Sequence, residues 1–337
     1  MLKKVKNLSI ILILFLVFAI TVNVSANEII LRYGSGAPTT SSGYPGHMKL
    51  NEVVDNLPGI SSTFVGIGAS EAVARGIYDG DLDWGGMWGL NVYYESTNGL
   101  GKWEGNKKPN ILRVMCITYE MAAMIVVSEK SGINSISDLE GKKFSLGIPG
   151  STSQNLGAKS FEALGVNIEP FIGSLQDAVE AFKDGRIAGF LKDSPAQSLD
   201  AGILDAMTSV PIKILSFTKE EMAKIQEKYP YISFKSIPAG YYSQLPELEE
   251  INVLSAPLGV GISKDIPDEV VYQMVKTLVD NWEILVEAWK GFATFDPLNT
   301  PKVTSVMENV YLHPGAIRFF KEKGVDIPDS VIPPEAQ

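Results

Sequence analysis

Three short segments rich in glycine and hydroxyl side chains carry the residues best suited to hold a small ligand. They are GSGAPTTSSGYPG (34–46), GIGAS (66–70) and GIPGSTS (147–153). Each falls where a strand-like run gives way to helical spacing. The first turn of a helix offers unpaired N–H groups at a partly positive end, which suits a carboxylate or another anion. Candidate contacts are Gly36, Thr40, Ser41 and Ser42 in the first segment, and Ser70, the expected helix N-cap, in the second. In the third they are Gly150, Ser151, Thr152 and Ser153. Ordinary capping accounts for any one of these turns taken singly, because Ser and Thr begin many helices and glycine permits tight turns. Three of them at the carboxyl ends of strands argue for a site, since ligands of open α/β sheets lie there. A fourth segment, WGGMWGLNVYY (84–94), gathers Trp84, Trp88, Tyr93 and Tyr94 around two glycines. Trp88 reads equally as a pocket wall or as core, and Trp84 reads as core.

Catalytic patterns are largely missing. GSGAPT and GIGASE each lack the third glycine of a dinucleotide fingerprint, and Ile136 stands where a phosphate loop ending in Gly141-Lys142 needs glycine. There is no GxSxG elbow, no HExxH and no CxxC. Asp81 and Asp83 read as the entry to a strand. Cys116, the one cysteine, lies in the apolar run ILRVMCI and reads as a small buried hydrophobe. The two histidines, His47 and His313, give a nucleophile little to pair with, and His313 in LHPGA reads as an ordered turn. No catalytic residue, metal site or cofactor is expected.

The elements that must position these turns alternate between strand and helix. NEIILRYGSG, SSTFVGIG, LDWGGM, KKFSLGI and AGFLKD read as strands. Helical spacing runs through YPGHMKLNEVVDNL, ASEAVARGIYDG, STSQNLGAKSFEALG and LQDAVEAFKDG. ILRVMCITY and AAMIVVSE read as two strands, INVLSAPLGVGIS as more than one, and DEVVYQMVKTLVDNWEILVEAW as one long helix. The alternation argues for an α/β fold with parallel-rich sheets flanked by helices. No linker or repeat divides the chain. Lobes must then be joined by strands that pass between them, placed near 120–126 and 250–256. The expected division is lobe one from 27–122 plus 254–337, and lobe two from 123–253.

Lys3, Lys4 and Lys6, the apolar run 8–22 and the small residues Val24-Ser25-Ala26 have the three-part layout of a secretory signal peptide. Cleavage after Ala26 and a periplasmic location are expected. A formal net charge of −10, with no basic cluster, argues against nucleic acid as a partner.

Together the segments resemble the TAXI-type solute receptors of tripartite ATP-independent periplasmic (TRAP) transporters. The resemblance rests on GSG (34–36), SEAVARGIYDGDLDW (70–84), SISDLEGKKFSLGIPGST (135–152), EVVYQMVKTL (269–278) and YLHPGAIRFFKEKG (311–324). It implies a two-lobed, type II-like periplasmic-binding-protein fold closing on a small organic acid or amino acid, with TRAP-type permease subunits as partner. It also implies ligand contacts at Ser70, Gly150, Ser151 and Ser153, at Tyr44 in the first turn, and at Tyr242 before the second crossing. Four stretches depart from the family pattern. The first turn has fewer glycines, Val73 replaces an Asn, GSTS (150–153) replaces Gly-Ser-Gly-Thr, and FLKDSPAQ (190–197) replaces an aromatic, glycine-rich stretch. Lys192 and Asp193 then either face the ligand or are solvated, with solvation preferred. Glutamate-like, dicarboxylate and keto-acid solutes are the leading expectation. An aromatic or heterocyclic solute of an ATP-driven (ABC-type) transporter is the alternative, and a secreted enzyme is a third.

Overall fold

The structure is a computed structural model, and it describes residues 28–39, 41–105, 111–194 and 199–336, with the side chains of Met87, Trp88 and Lys102 excepted. The signal-like segment 1–26, Thr40, the Trp88 side chain and 195–198 therefore lie outside the described residues.

Two long strands organise the molecule. β4 (Leu112–Ser128) is so apolar that all but two of its residues are buried, which a strand covered on both faces requires. Beside it runs β10 (Ile251–Ser263), antiparallel, from Leu254 opposite Ala123 to Ser263 opposite Leu112. One half of the sheet grows from their 112 and 263 ends. There β10 pairs with β3 (Trp84–Gly89), and β3 lies parallel to β1 (Ile29–Ser35), itself parallel to β2 (Ile60–Gly66). The other half grows from the opposite ends. β4 pairs with β7 (Gly189–Ser194) and β8 (Ile212–Leu215), β10 with β9 (Ser233–Ile237), and β7 continues through β5 (Lys143–Ser145) to β6 (Glu169–Pro170). The outer strands are parallel, as β/α alternation demands, and the centre is antiparallel because β4 and β10 run in opposite directions.

Helices cover both faces. In the first half lie α1 (Tyr44–Asp55), α2 (Ser70–Asp79) and α3 (Leu90–Asn98). In the second lie α4 (Thr152–Leu164), α5 (Leu175–Lys183), α6 (Ala201–Met207) and α7 (Lys219–Lys228). The returning chain adds α8 (Asp268–Asp280), α9 (Trp282–Ala288), α10 (Thr300–Thr304) and α11 (Pro314–Glu322). Successive residues of β4 enter different cores, as a period of two requires. Ala123, Ile125 and Val127 pack with Leu156 and Phe161 of α4, while Ala122, Met124 and Val126 pack with Val179 and Phe182 of α5.

Several elements differ from the sequence expectation. The runs read as two strands, 111–119 and 122–129, form the single β4, and 251–263 is likewise one strand. Each strand is paired along its length, and β10 runs on through Pro257, opposite Glu120, and through Gly259 and Gly261 with two shifts of register. The long helix expected from 268 to 289 breaks at Asn281, whose side-chain amide bonds the Thr277 carbonyl at 2.8 Å, so that α8 stops and α9 begins. LHPGA is the turn it was read to be. His313 is the N-cap of α11 and its Nδ1 accepts from Gly315 N at 3.1 Å. Gly315 is required, because a Cβ there would stand 2.2 Å from the Asp268 carbonyl of α8.

Candidate functional site

The two halves face each other across a cleft lined by Gly36, Pro38 and Ser41, by Gly68 and Ser70, by Ile148 and Ser151 to Ser153, by Leu175, and by Lys192 and Asp193. Tyr119, Met121 and Leu258 of the two long strands close it from behind. Its space, open solvent included, is about 550 Å³, of which about 60 Å³ admits the centre of a water-sized sphere. One water needs roughly 10–15 Å³ by that second measure, so the cleft as it stands suits a small solute.

Helix α4 supplies the best-defined edge. Ser151 caps it, accepting from Gln154 N at 3.2 Å, and the helix end still presents the N–H groups of Thr152 and Ser153. Gly150 turns the chain into this cap with φ +78°, in the left-handed region that glycine adopts without strain. Ser70 faces this edge from the other half. It is the first residue of α2 rather than its cap, a position taken by the extended Ala69 with no side-chain bond. The expected N-cap role is thus corrected, while Ser70 itself lines the cleft, 5% exposed.

Lys192 and Asp193 are half-buried and paired in the cleft wall rather than freely solvated. The Lys192 side chain is 13% exposed and bonds Asp193 Oδ1 at 2.9 Å and Asp200 Oδ2 at 3.5 Å. Ser153 Oγ donates to the same Asp193 oxygen at 3.2 Å. Burial disfavours the Lys192 ammonium, yet the two aspartates outweigh it and hold its pKa above the ordinary lysine value. Burial would raise Asp193 in the same way, but the Lys192 charge and hydrogen bond bring it below the ordinary carboxylate range. Both groups stay ionised. The solvated reading fails because Asp200 and Ser153 hold the two side chains in the cleft wall, a pairing that no local pattern announces.

The structure brings together Gly36, Ser41, Ser70, Ser151, Thr152, Ser153 and Asp193 from the sequence-derived set. Others lie beside the cleft without lining it. Ser42 is exposed and reaches Asp200 Oδ2 at 3.5 Å, and Tyr44 stacks edge-on against Phe64. The Gly150 carbonyl accepts from Glu71 N at 3.4 Å. Tyr242 is buried in the second-half core next to Tyr241. Trp84 is core, its Nε1 donating to Ser62 Oγ at 3.0 Å, and Val73 is fully buried, so that departure does not touch the cleft. Sequence reasoning missed Tyr119. The available signal was a phenol interrupting the apolar run of β4.

Further contacts hold the halves together. Gly89 N donates to Thr152 Oγ1 at 3.2 Å, joining the starts of α3 and α4. Beside the cleft the buried Glu95 of α3 takes Lys159 Nζ at 2.5 Å, Asn155 Nδ2 at 3.1 Å and the Tyr231 hydroxyl at 3.2 Å. Among the described residues no group of three or more His, Cys, Asp or Glu is placed to hold a metal ion, and no helix is long and apolar enough to cross a membrane.

Two half-sheets bridged by two long strands, with helix N-termini meeting across the gap, are the periplasmic-binding-protein fold. Solved structures agree with this. XAC2383 from Xanthomonas citri, bound to chloride, is similar with a TM-score of 0.51 at 12% identity, covering 87% of this chain and 99% of that one. The ligand-binding component of an ABC-type import system from Staphylococcus aureus, with zinc bound, is similar with a TM-score of 0.50 at 10% identity, covering 91% and 97%. At such identities the likeness is one of fold. The NMT1-like family model matches residues 36–324, and the chain belongs to that family.

Proposed function

We propose that this protein is an extracytoplasmic solute-binding protein, exported by residues 1–26, that captures a small carboxylate-bearing solute and delivers it to a membrane permease. Its lobes are 27–122 with 254–337, and 123–253, hinged on β4 and β10. One observation carries the reading: the capped N-terminus of α4, with Ser151 to Ser153, meets Ser70 across a small cleft that also contains an ion pair. A carboxylate there is held by N–H groups and hydroxyls at a helix end. The contacts between halves belong to a closed form, which a ligand stabilises by touching both lobes.

Two permeases fit. The resemblance at 135–152 and 311–324 supports a TRAP-type partner. The fold shared with the Staphylococcus aureus import component supports an ABC-type partner. The apolar wall of Ile148, Leu175 and Leu258 favours, as a second reading, an aromatic or heterocyclic solute.

Mass spectrometry of the co-purified solute, with thermal shift against organic acids and amino acids, tests the main reading. At 100 times its dissociation constant a ligand stabilises the protein by about 2.7 kcal/mol. Ser70→Ala is expected to abolish most of that shift while leaving the unliganded protein's melting temperature in place. Retention of only uncharged aromatic compounds would overturn the carboxylate reading.

A further inference from the structure

Tyr119 sits on β4 opposite Leu258, where the register with β10 slips by one residue, and its ring packs edge-on against Trp289 at 4.7 Å. The residue is 2% exposed, yet it lines the cleft, and its hydroxyl has no hydrogen-bond partner among the described residues. A buried hydroxyl without a partner costs free energy that a phenylalanine would avoid. Asp193, whose charge raises the Tyr119 phenol further once burial has done so, also lines the cleft. Among the described residues both hydrogen bonds that other side chains give to the Asp193 carboxylate fall on Oδ1, and the residue's own backbone N–H also bonds the carboxylate.

The charges at this end of the cleft do not cancel. Among the described residues Lys192 serves two aspartates, and Asp200 divides its oxygens between Lys192 and Ser42 on Oδ2 and the start of α6, where Oδ1 accepts from Gly202 N at 2.9 Å. Among the described residues one cation is paired with these two carboxylates, so the cluster carries a net negative charge. Next to Asp193, whose Oδ1 takes the Ser153 hydroxyl at 3.2 Å, the N-terminus of α4 offers the N–H groups of Thr152 and Ser153, suited to an anion.

We propose that Tyr119 is a ligand-contacting, specificity-setting residue, and that with Asp193 it receives a protonated amine, so that the solute is an amino acid rather than an amine-free acid. The phenol oxygen accepts one ammonium hydrogen and the Asp193 carboxylate another, while the solute's carboxylate lies at the α4 end. This inference rests on the carboxylate-binding reading above and narrows it.

The mature protein, freed of bound solute by partial unfolding and refolding, is offered two mixtures in native mass spectrometry and thermal shift. One contains the twenty common amino acids. The other contains amine-free mono- and dicarboxylates and keto acids of matched chain length. The expected result is retention of a component of the first mixture only. Tyr119→Phe should weaken its binding at least tenfold, and Asp193→Asn should weaken it further. Because the hydroxyl is unpartnered, unliganded Tyr119→Phe should melt at or above the wild-type temperature. Retention from the second mixture, or unchanged affinity in Tyr119→Phe, overturns the amine assignment and leaves the carboxylate reading standing. Retention from neither mixture overturns both.

Discussion

At the scale of single residues, the Lys192 ammonium decides whether the cleft wall stays in place. Removing it in Lys192→Met leaves Asp193 and the nearly buried Asp200 without their shared cation. Breaking a buried ion pair from one side commonly costs about 3–5 kcal/mol, more than the pair itself contributes. Lys192→Met is therefore expected to lower the urea midpoint strongly. The double variant that also carries Asp193→Asn should recover part of the loss, and equal destabilisation of the two would refute the coupling. Cys116 behaves oppositely: burial pushes its thiol up to about 12, so a thiol reagent at neutral pH should label it only after unfolding. Sequence showed that Cys116 was core, because its neighbours are all apolar. It could not show the state of Lys192, because a Lys-Asp pair looks alike on a surface and in a cleft wall beside Asp200 and Ser153.

At the scale of elements, the join between α3 and α4 is where the closed form can be loosened without touching the cleft. Glu95 is 3% exposed and depends on Lys159, Asn155 and Tyr231, all from the other half. Lys159→Met should favour an open arrangement. The expected signs are a larger radius of gyration without ligand and solute affinity weakened roughly tenfold, about 1.4 kcal/mol. An unchanged affinity would show that the pair is indifferent to closure. The helices that carry these groups were partly legible. The α4 cap was visible as GSTS, and the start of α2 was visible to within one residue. The join itself was not, since Glu95 and Lys159 become neighbours only through the pairing of β3, β10, β4 and β7. The continuity of β4 was hidden for a simpler reason. Polar Glu120, between the two runs, resembles a break until Lys235, paired with it at 2.7 Å, explains it.

At the scale of the whole molecule, acid should begin to destabilise this protein above the carboxylate range, and two histidines contribute the slope. His47 is fully buried against Tyr33 and Phe292, and burial lowers its pKa to about 3; burial chiefly lowers His313, the α11 cap, to about 4. Each is neutral in the fold and takes up a proton in the unfolded chain near the ordinary value of about 6.5. Above that pH neither state binds the proton, and the histidines do not affect stability. Below it only the unfolded chain binds, so stability falls with pH by about 1.4 kcal/mol per unit for each histidine, down to the folded values. Between pH 6 and pH 4.5 the unfolding free energy should therefore drop with a slope near two protons. The dependence should flatten above pH 7. His47→Gln should reduce the slope to about one proton, because only His313 then titrates in that window. Urea titrations at half-unit pH steps measure this directly. A wild-type slope near zero would mean that water or an alternative packing lets both rings charge inside the fold, and that the α1 and α11 contacts are looser than their geometry implies.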